Sequence, residues 1–173
     1  MNSTHSIKLE GKTIVITGGT SGIGRQLVNL LSSHNTVVVI ARSEARLVRL
    51  KNEFPGIKTF DADLSKPEQY GALVDRILKK QAKIDVLINN AAIQYTPGFL
   101  DEDFSYETIL QEINVNFTSV CSLSFLLLPA LLNDHGTSAI VNINSGLGLV
   151  PKTASAVYCA TKGAMNLFSQ SLG

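Results

Sequence analysis

The chain has 173 residues, 45% of them hydrophobic and 17% charged, with a mean hydropathy of +0.18, enough to bury the core of one ordinary domain and hardly of two. Fifteen Lys and Arg against fourteen Asp and Glu leave a formal charge of +1, so no net field recruits nucleic acid or an anionic membrane, and both partners are set aside. Two cysteines, Cys121 and Cys159, are too few for a disulfide framework and lack zinc spacing, so reduced thiols are expected.

Residues 1–10 are polar and lack the apolar run of a secretory signal, which leads to an expected cytoplasmic location. Apolar β-branched runs then recur at Thr13–Thr17, Val37–Ile40, Ile57–Phe60, Ile84–Ile88 and Ala139–Ile143. Without polar alternation they suit parallel strands covered on both faces. Between them, apolar residues fall at helical spacing: Ile23, Leu27, Leu30 and Leu31, then Leu47, Leu50 and Phe54, then Leu73, Val74, Ile77 and Leu78. A longer helical segment runs from about Ser105 to Leu132. Its most apolar part, Val120–Leu132, is interrupted by Ser122, Ser124 and Pro129, falls short of the roughly 20 residues of a membrane span, and reads as a buried helix. A last helix is expected over Ala154–Leu172. The alternation predicts an open α/β sheet with right-handed crossovers. No linker, repeat or low-complexity tract divides it, so residues 1–173 are read as one domain.

The segment Thr17-Gly18-Gly19-Thr20-Ser21-Gly22-Ile23-Gly24 follows the first strand and opens the first helix, the place where an α/β sheet binds a dinucleotide. Glycines permit a tight turn and close backbone approach to a pyrophosphate, whose charge then meets free N–H groups at the positive helix end. The spacing is Gly-x-x-x-Gly-x-Gly; the alternative is a strand-to-helix turn with no ligand. About twenty residues on, a chain selecting NAD usually places an acid on the ribose hydroxyls. Here the second strand ends Ile40-Ala41-Arg42-Ser43, with no acid, and Arg42 suits a charge-assisted bond to a 2′-phosphate. NADP is therefore expected over NAD, unless Arg42, with Arg46 and Arg49, only lines the solvent face of the next helix.

TGGTSGIG at Thr17–Gly24, Asp63 in DADLS, Asn89-Asn90-Ala91-Ala92 after the fourth strand, Asn116 in INVNF, Ser145 in VNINSG, and Tyr158-Cys159-Ala160-Thr161-Lys162 occur in this order along nearly the whole chain. Together they resemble the classical short-chain dehydrogenase/reductase family. The family usually writes NNAG where this chain has Ala92. The resemblance implies a Rossmann-type doubly wound parallel sheet and a dinucleotide held by Gly18, Thr20, Ser21, Gly22, Ile23, Gly24, Arg42, Asp63, Leu64, Asn90 and Ala91. It implies that Asp63 lies near the adenine, that Tyr158 and Lys162 also touch the cofactor, and that Asn116, Ser145, Tyr158 and Lys162 form a catalytic tetrad in which Asn116 anchors a water leading to Lys162. The family continues beyond this last helix into further strands and a substrate lid, so the chain is expected to be a C-terminally truncated member.

Residues four apart on a helix share a face, so Tyr158 and Lys162 can point at one site. A free phenol titrates at about 10, and a nearby cation shifts such a group toward neutrality, which suits acid or base work. Tyr158 would protonate the developing alkoxide as nicotinamide delivers hydride, and alcohol oxidation reverses those steps. Ser145, just past the fifth strand, suits a hydrogen bond to substrate oxygen, or is simply a turn serine before Gly146. Asn116 is otherwise an exposed helical Asn.

His5, His34 and His135 have no metal-ligand or triad spacing and are expected at the surface, with no metal site. The run Asp101-Glu102-Asp103 is expected to favour the start of the following helix, and Ile93, Gln94, Tyr95 and Phe99 lie in a loop within reach of substrate. The leading expectation is an NADP-dependent oxidoreductase acting on a small ketone or secondary alcohol. The second is a dinucleotide-binding or regulatory protein without turnover, because of the truncation. Self-association as a homodimer or homotetramer is expected through the Ser105–Leu132 and Ala154–Leu172 helices, whose apolar faces exceed what the sheet covers.

Overall fold

The computed structural model describes residues 9–96, 98–132 and 137–172. Strands and helices alternate: β1 (Thr13–Thr17), α1 (Gly22–Leu31), β2 (Thr36–Ala41), α2 (Glu44–Glu53), β3 (Lys58–Asp61), α3 (Tyr70–Lys80), β4 (Val86–Asn89), α4 (Tyr106–Ile113), α5 (Ser119–Leu132), β5 (Ala139–Asn142) and α6 (Ala156–Leu172). The strands make one parallel sheet in the order β3-β2-β1-β4-β5. The order reverses between β1 and β4, and at such a reversal the loops leaving the carboxyl ends diverge and open a crevice.

Pleating sends successive side chains to opposite faces, and each face is covered. Val15, Val38, Ile40 and Leu87 pack with Leu73, Ile77, Leu123 and Leu127 from α3 and α5. Ile14, Ile16, Val37, Val39 and Ile88 pack on the other side with Val28 of α1 and Leu47 and Leu50 of α2. Ile14, Leu87 and Leu123 are fully buried, and truncating any one of them to Ala costs about 2–5 kcal/mol. The alternating runs in the sequence thus become the two-layered core that fixes the crevice.

The strand ends differ from expectation by a residue or two. Ile57 and Ile84 are buried just before β3 and β4 rather than inside them, and α6 starts at Ala156 after a short 3-10 turn, Thr153–Ser155. The long fourth segment is continuous from Tyr106 to Leu132 but contains a π-helical turn, Asn114–Thr118, between α4 and α5. At 27 residues this run is long and apolar enough, by length and composition alone, to cross a membrane, so the shortness of its apolar part is not what sets it apart from a span. One side of it is core: Leu123, Leu127 and Leu131 pack against α3 and the sheet, while Phe125 and Leu132 are exposed. The start of α4 is capped by Ser105, whose hydroxyl accepts the Thr108 N–H, and not by the acidic run before it. Asp101 instead accepts the Gly98 N–H at 2.6 Å. His34 is exposed, whereas His5, His135 and Gly173 lie outside the described residues.

Candidate active site

A groove of about 590 Å³ runs along the carboxyl ends of the strands. Its lining follows the sheet order. Arg42, Ser43, Arg46, Asp63 and Leu64 lie past β2 and β3, and Gly18, Thr20, Ser21 and Ile23 past β1. Asn90, Ala91, Ala92 and Ile93 follow β4, and Ile143, Asn144, Tyr158 and Lys162 stand past β5.

The glycine loop is shaped by what a side chain would strike. Gly18 has φ +69°, and a Cβ there would lie 2.9 Å from the Ala91 Cα. A Cβ at Gly24 would overlap the Asn90 amide and the Gly18 carbonyl, so this turn of α1 sits directly on the β1 and β4 loops. Gly22 takes φ +52°, a left-handed conformation that favours glycine. Gly22 through its backbone and Gly24 through close packing therefore shape the turn without lining the groove, while Gly18, Thr20, Ser21 and Ile23 line it. Ser21 precedes the helix without capping it through its side chain, so the N–H groups of the first turn are available to an anion.

Asn90 and Thr17 lock the centre of the floor. The Asn90 Nδ2 donates to the Thr17 carbonyl at 2.9 Å and the Gly18 carbonyl at 3.3 Å, and the Thr17 hydroxyl accepts the N–H groups of Asn90 and Ala91 at 3.0 and 2.9 Å. Ala92, at the usual glycine position, does not take a positive φ, so its methyl group introduces no strain. On the arginine side, Asp63 turns its carboxylate back on the N–H and hydroxyl of Ser65 at 3.0 and 2.8 Å. Burial pushes the Asp63 carboxyl up, but the two Ser65 bonds, with Lys66 and Arg42 nearby, outweigh it and hold it below its ordinary value. The adjoining Leu64 carbonyl accepts the Tyr70 hydroxyl at 2.6 Å, and the Ser65 carbonyl accepts the Asn114 amide at 3.0 Å.

At the other end Tyr158 and Lys162 stand one turn apart on α6, both on the groove wall. The Lys162 Nζ lies 5.7 Å from the centre of the Tyr158 ring and donates to the Ile143 carbonyl at 3.0 Å. Lys162 is only 3% exposed, and this burial pulls its ammonium down to about 8, which leaves it mostly charged at neutral pH.

Asn116 is fully buried rather than exposed, and it sits in the π turn, an irregularity that re-aims side chains. Its Oδ1 accepts the Ile93 N–H at 2.9 Å and its Nδ2 donates to the Ile93 carbonyl at 2.8 Å and to Thr161 Oγ1 at 3.3 Å. It therefore braces the loop after β4 against the helix of Tyr158, from behind the groove wall. Ser145 follows the groove-lining Asn144, and its hydroxyl accepts the Leu147 N–H at 3.2 Å, capping the 3-10 turn Gly146–Gly148.

Sequence reasoning did not single out Thr17, Arg46, Tyr70, Asn114 or Glu112 as site residues. Arg46, in the first turn of α2 just past Arg42, was open to detection by its position beside the end of β2. The others act through partners 6 to 74 positions away, which no local pattern announces.

A family model described as short chain dehydrogenase matches residues 12–173. The chain is 38% identical over 167 residues to the uncharacterized oxidoreductase DltE of Bacillus subtilis, covering 96% of this chain and 66% of that protein. It is 33% identical over 172 residues to the human very-long-chain 3-oxoacyl-CoA reductase, covering 94% of this chain and 54% of that enzyme. The chain thus spans about half to two thirds of the length of these relatives. Among solved structures, a short chain dehydrogenase/reductase from Burkholderia phymatum in complex with NAD superposes with a TM-score of 0.88 at 27% identity, over 96% of this chain and 60% of that one. L-Sorbose reductase from Gluconobacter frateurii, complexed with NADPH and L-sorbose, superposes with a TM-score of 0.84 at 26% identity, over 94% and 63%.

Proposed function

Because this chain belongs to the short-chain dehydrogenase family of oxidoreductases, we propose that it interconverts a small ketone and its secondary alcohol with a nicotinamide dinucleotide, Tyr158 acting as acid or base. The observation that carries this reading is a single groove with Tyr158 and a buried, mostly charged Lys162 at one end and two arginines at the other.

The residues present fit a dinucleotide. The glycines let the β1 and β4 loops and α1 approach closely, since a Cβ at Gly18 would strike Ala91 and one at Gly24 the Asn90 amide and the Gly18 carbonyl, and the uncapped first turn of α1 lies beside them. Gly18, Thr20, Ser21 and Ile23 would hold the pyrophosphate, Asp63 and Leu64 the adenine, and Asn90 and Ala91 the middle of the molecule. Arg42 and Arg46 would meet a 2′-phosphate, and with no acid at Ala41 this favours NADP over NAD. When bound, the nicotinamide supplies or accepts the hydride.

In the reducing direction the Tyr158 hydroxyl gives its proton to the carbonyl oxygen as the carbonyl carbon gains hydride, and the phenolate left behind regains a proton from water. The Lys162 ammonium stabilises the negative charge on the Tyr158 oxygen, and the Ile143 carbonyl fixes that ammonium in place. Ser145 orients the substrate oxygen, and Asn116 holds Ile93 and Thr161 so that the loop and helix keep their spacing. Self-association belongs to the same proposal: α4 and α6 share an apolar hollow lined by Ile109, Ile113, Phe117, Val157 and Ala160, which a second copy would cover.

The test is to follow nicotinamide absorbance with NADPH and a panel of ketones. Turnover that falls about a thousandfold or more in Tyr158→Phe supports the assignment; binding of NADPH without turnover of any ketone supports a dinucleotide-binding protein instead.

A further inference from the structure

Glu112 is a buried carboxyl that the mechanism above leaves without a role. It lies on α4, 3% exposed, one helical turn before Asn116. The two side chains hold alternate residues of one segment. Asn116 takes both backbone groups of Ile93, and Glu112 Oε1 accepts the Tyr95 N–H at 2.8 Å. Between them, Gln94 reaches the other way, and its Nε2 donates to the buried Ser155 Oγ at 2.8 Å. Ser155 stands three residues before Tyr158, at the turn that leads into α6. The Tyr95 hydroxyl adds a bond to Gln111, itself a groove residue.

A carboxyl buried here costs free energy unless it is hydrogen-bonded, and burial pushes Glu112 up despite its bond from Tyr95. What that cost secures is the placement of one N–H. We propose that Glu112 is a positioning residue for the reaction: by holding the Tyr95 N–H it fixes the Ile93–Tyr95 segment, and through the Gln94–Ser155 bond it fixes the turn that presents Tyr158. The inference rests on the oxidoreductase reading above. Arg42 and Arg46 follow β2, separated by β1 from this segment after β4, so the effect is expected on the chemical step more than on dinucleotide affinity.

The experiment compares Glu112→Ala and Glu112→Gln in the full chain, measuring kcat for the best ketone, the NADPH dissociation constant, and amide exchange at Tyr95. In Glu112→Ala, kcat is expected to fall about tenfold or more while the dissociation constant stays within about twofold. The Tyr95 amide is expected to exchange faster in that variant. The Gln side chain offers the same acceptor oxygen, so Glu112→Gln is expected to recover kcat to within about threefold and to restore Tyr95 protection. A Glu112→Ala protein with unchanged kcat overturns the inference. So does one that loses NADPH affinity and kcat together, or a Gln variant as impaired as the Ala variant, since either outcome marks a general packing role. A wild-type chain that reduces no ketone overturns the oxidoreductase reading and the inference with it, and is told apart because the failure then appears without any substitution.

Discussion

The Lys162 ammonium donates to the Ile143 carbonyl at 3.0 Å, tying the helix of Tyr158 to the end of β5 through a buried cation. Burial lowers this ammonium from 10.5 to about 8, so between those values the native chain has given up a proton that the unfolded chain still holds. Stability contributed by this group therefore rises with pH across that window and is lost as pH falls through about 8. Lys162→Met removes the titration. Denaturant unfolding at pH 7.5 and 10 should show the wild type gaining up to about 3 kcal/mol relative to the variant over that interval. Parallel curves would show that Lys162 is not a desolvated cation.

Asp85 behaves in the opposite sense. It is buried before β4, accepts the Thr13 N–H at 2.8 Å, and has Lys12 and Lys83 each at 3.5 Å. Burial raises its carboxyl, but the Thr13 bond and the two lysines outweigh this and lower it below 3.8. Its stabilising contribution is present above 3.8 and is lost as pH falls through the lowered native value. Asp85→Asn should cost about 1–3 kcal/mol at pH 7, with the gap closing in acid. A constant gap from pH 7 to pH 2 in thermal melts would contradict the assignment.

Gly24 and Gly56 separate packing from flexibility. A Cβ at Gly24 overlaps the Asn90 amide and the Gly18 carbonyl, whereas one at Gly56 meets nothing within 4 Å. Gly24→Ala is expected to destabilise by about 1–3 kcal/mol and to weaken NADPH binding by moving α1 off the loop. Gly56→Ala should change stability by less than about 1 kcal/mol. Equal effects in chemical denaturation would remove the close-approach argument.

Arg42 lines the groove at the end where Ala41 offers no acid. Arg42→Ala is expected to weaken NADPH binding by about 1.5–3 kcal/mol, the range for hydrogen bonds to charged groups, and to leave NADH almost unchanged. Arg46 lies beside it on the groove wall, so the double variant should lose more than either single one. Calorimetric titrations showing equal losses for both dinucleotides would reverse the NADP assignment.

The sheet was legible because its information is local. β1 and β2 are buried along almost their whole length, and an unbroken apolar β-branched run is what such a strand requires. The glycine loop was legible for the same reason, since glycines at fixed offsets after β1 report a turn that side chains would obstruct. The spacing of Tyr158 and Lys162 states their common face without any knowledge of the fold.

What the tertiary structure decided depends on partners far away in the chain. Without the family motif, Asn116 reads as an exposed helical residue; the π turn carries it inward to Ile93, 23 positions back. Ser105 rather than the acidic run caps α4, because the cap goes to the side chain whose oxygen reaches the Thr108 N–H. Asn114 supports the Leu64–Ser65 loop from 49 positions away, and Glu112 meets Tyr95 across 17. The sequence by itself determined the alternation of elements, the glycine turn after β1 and the Tyr–Lys face, since each follows from spacing within one or two turns. Which polar side chains are buried and what they hold was decided only when β4, the π turn and α6 came together, because a buried donor or acceptor must find its partner wherever the chain has carried it.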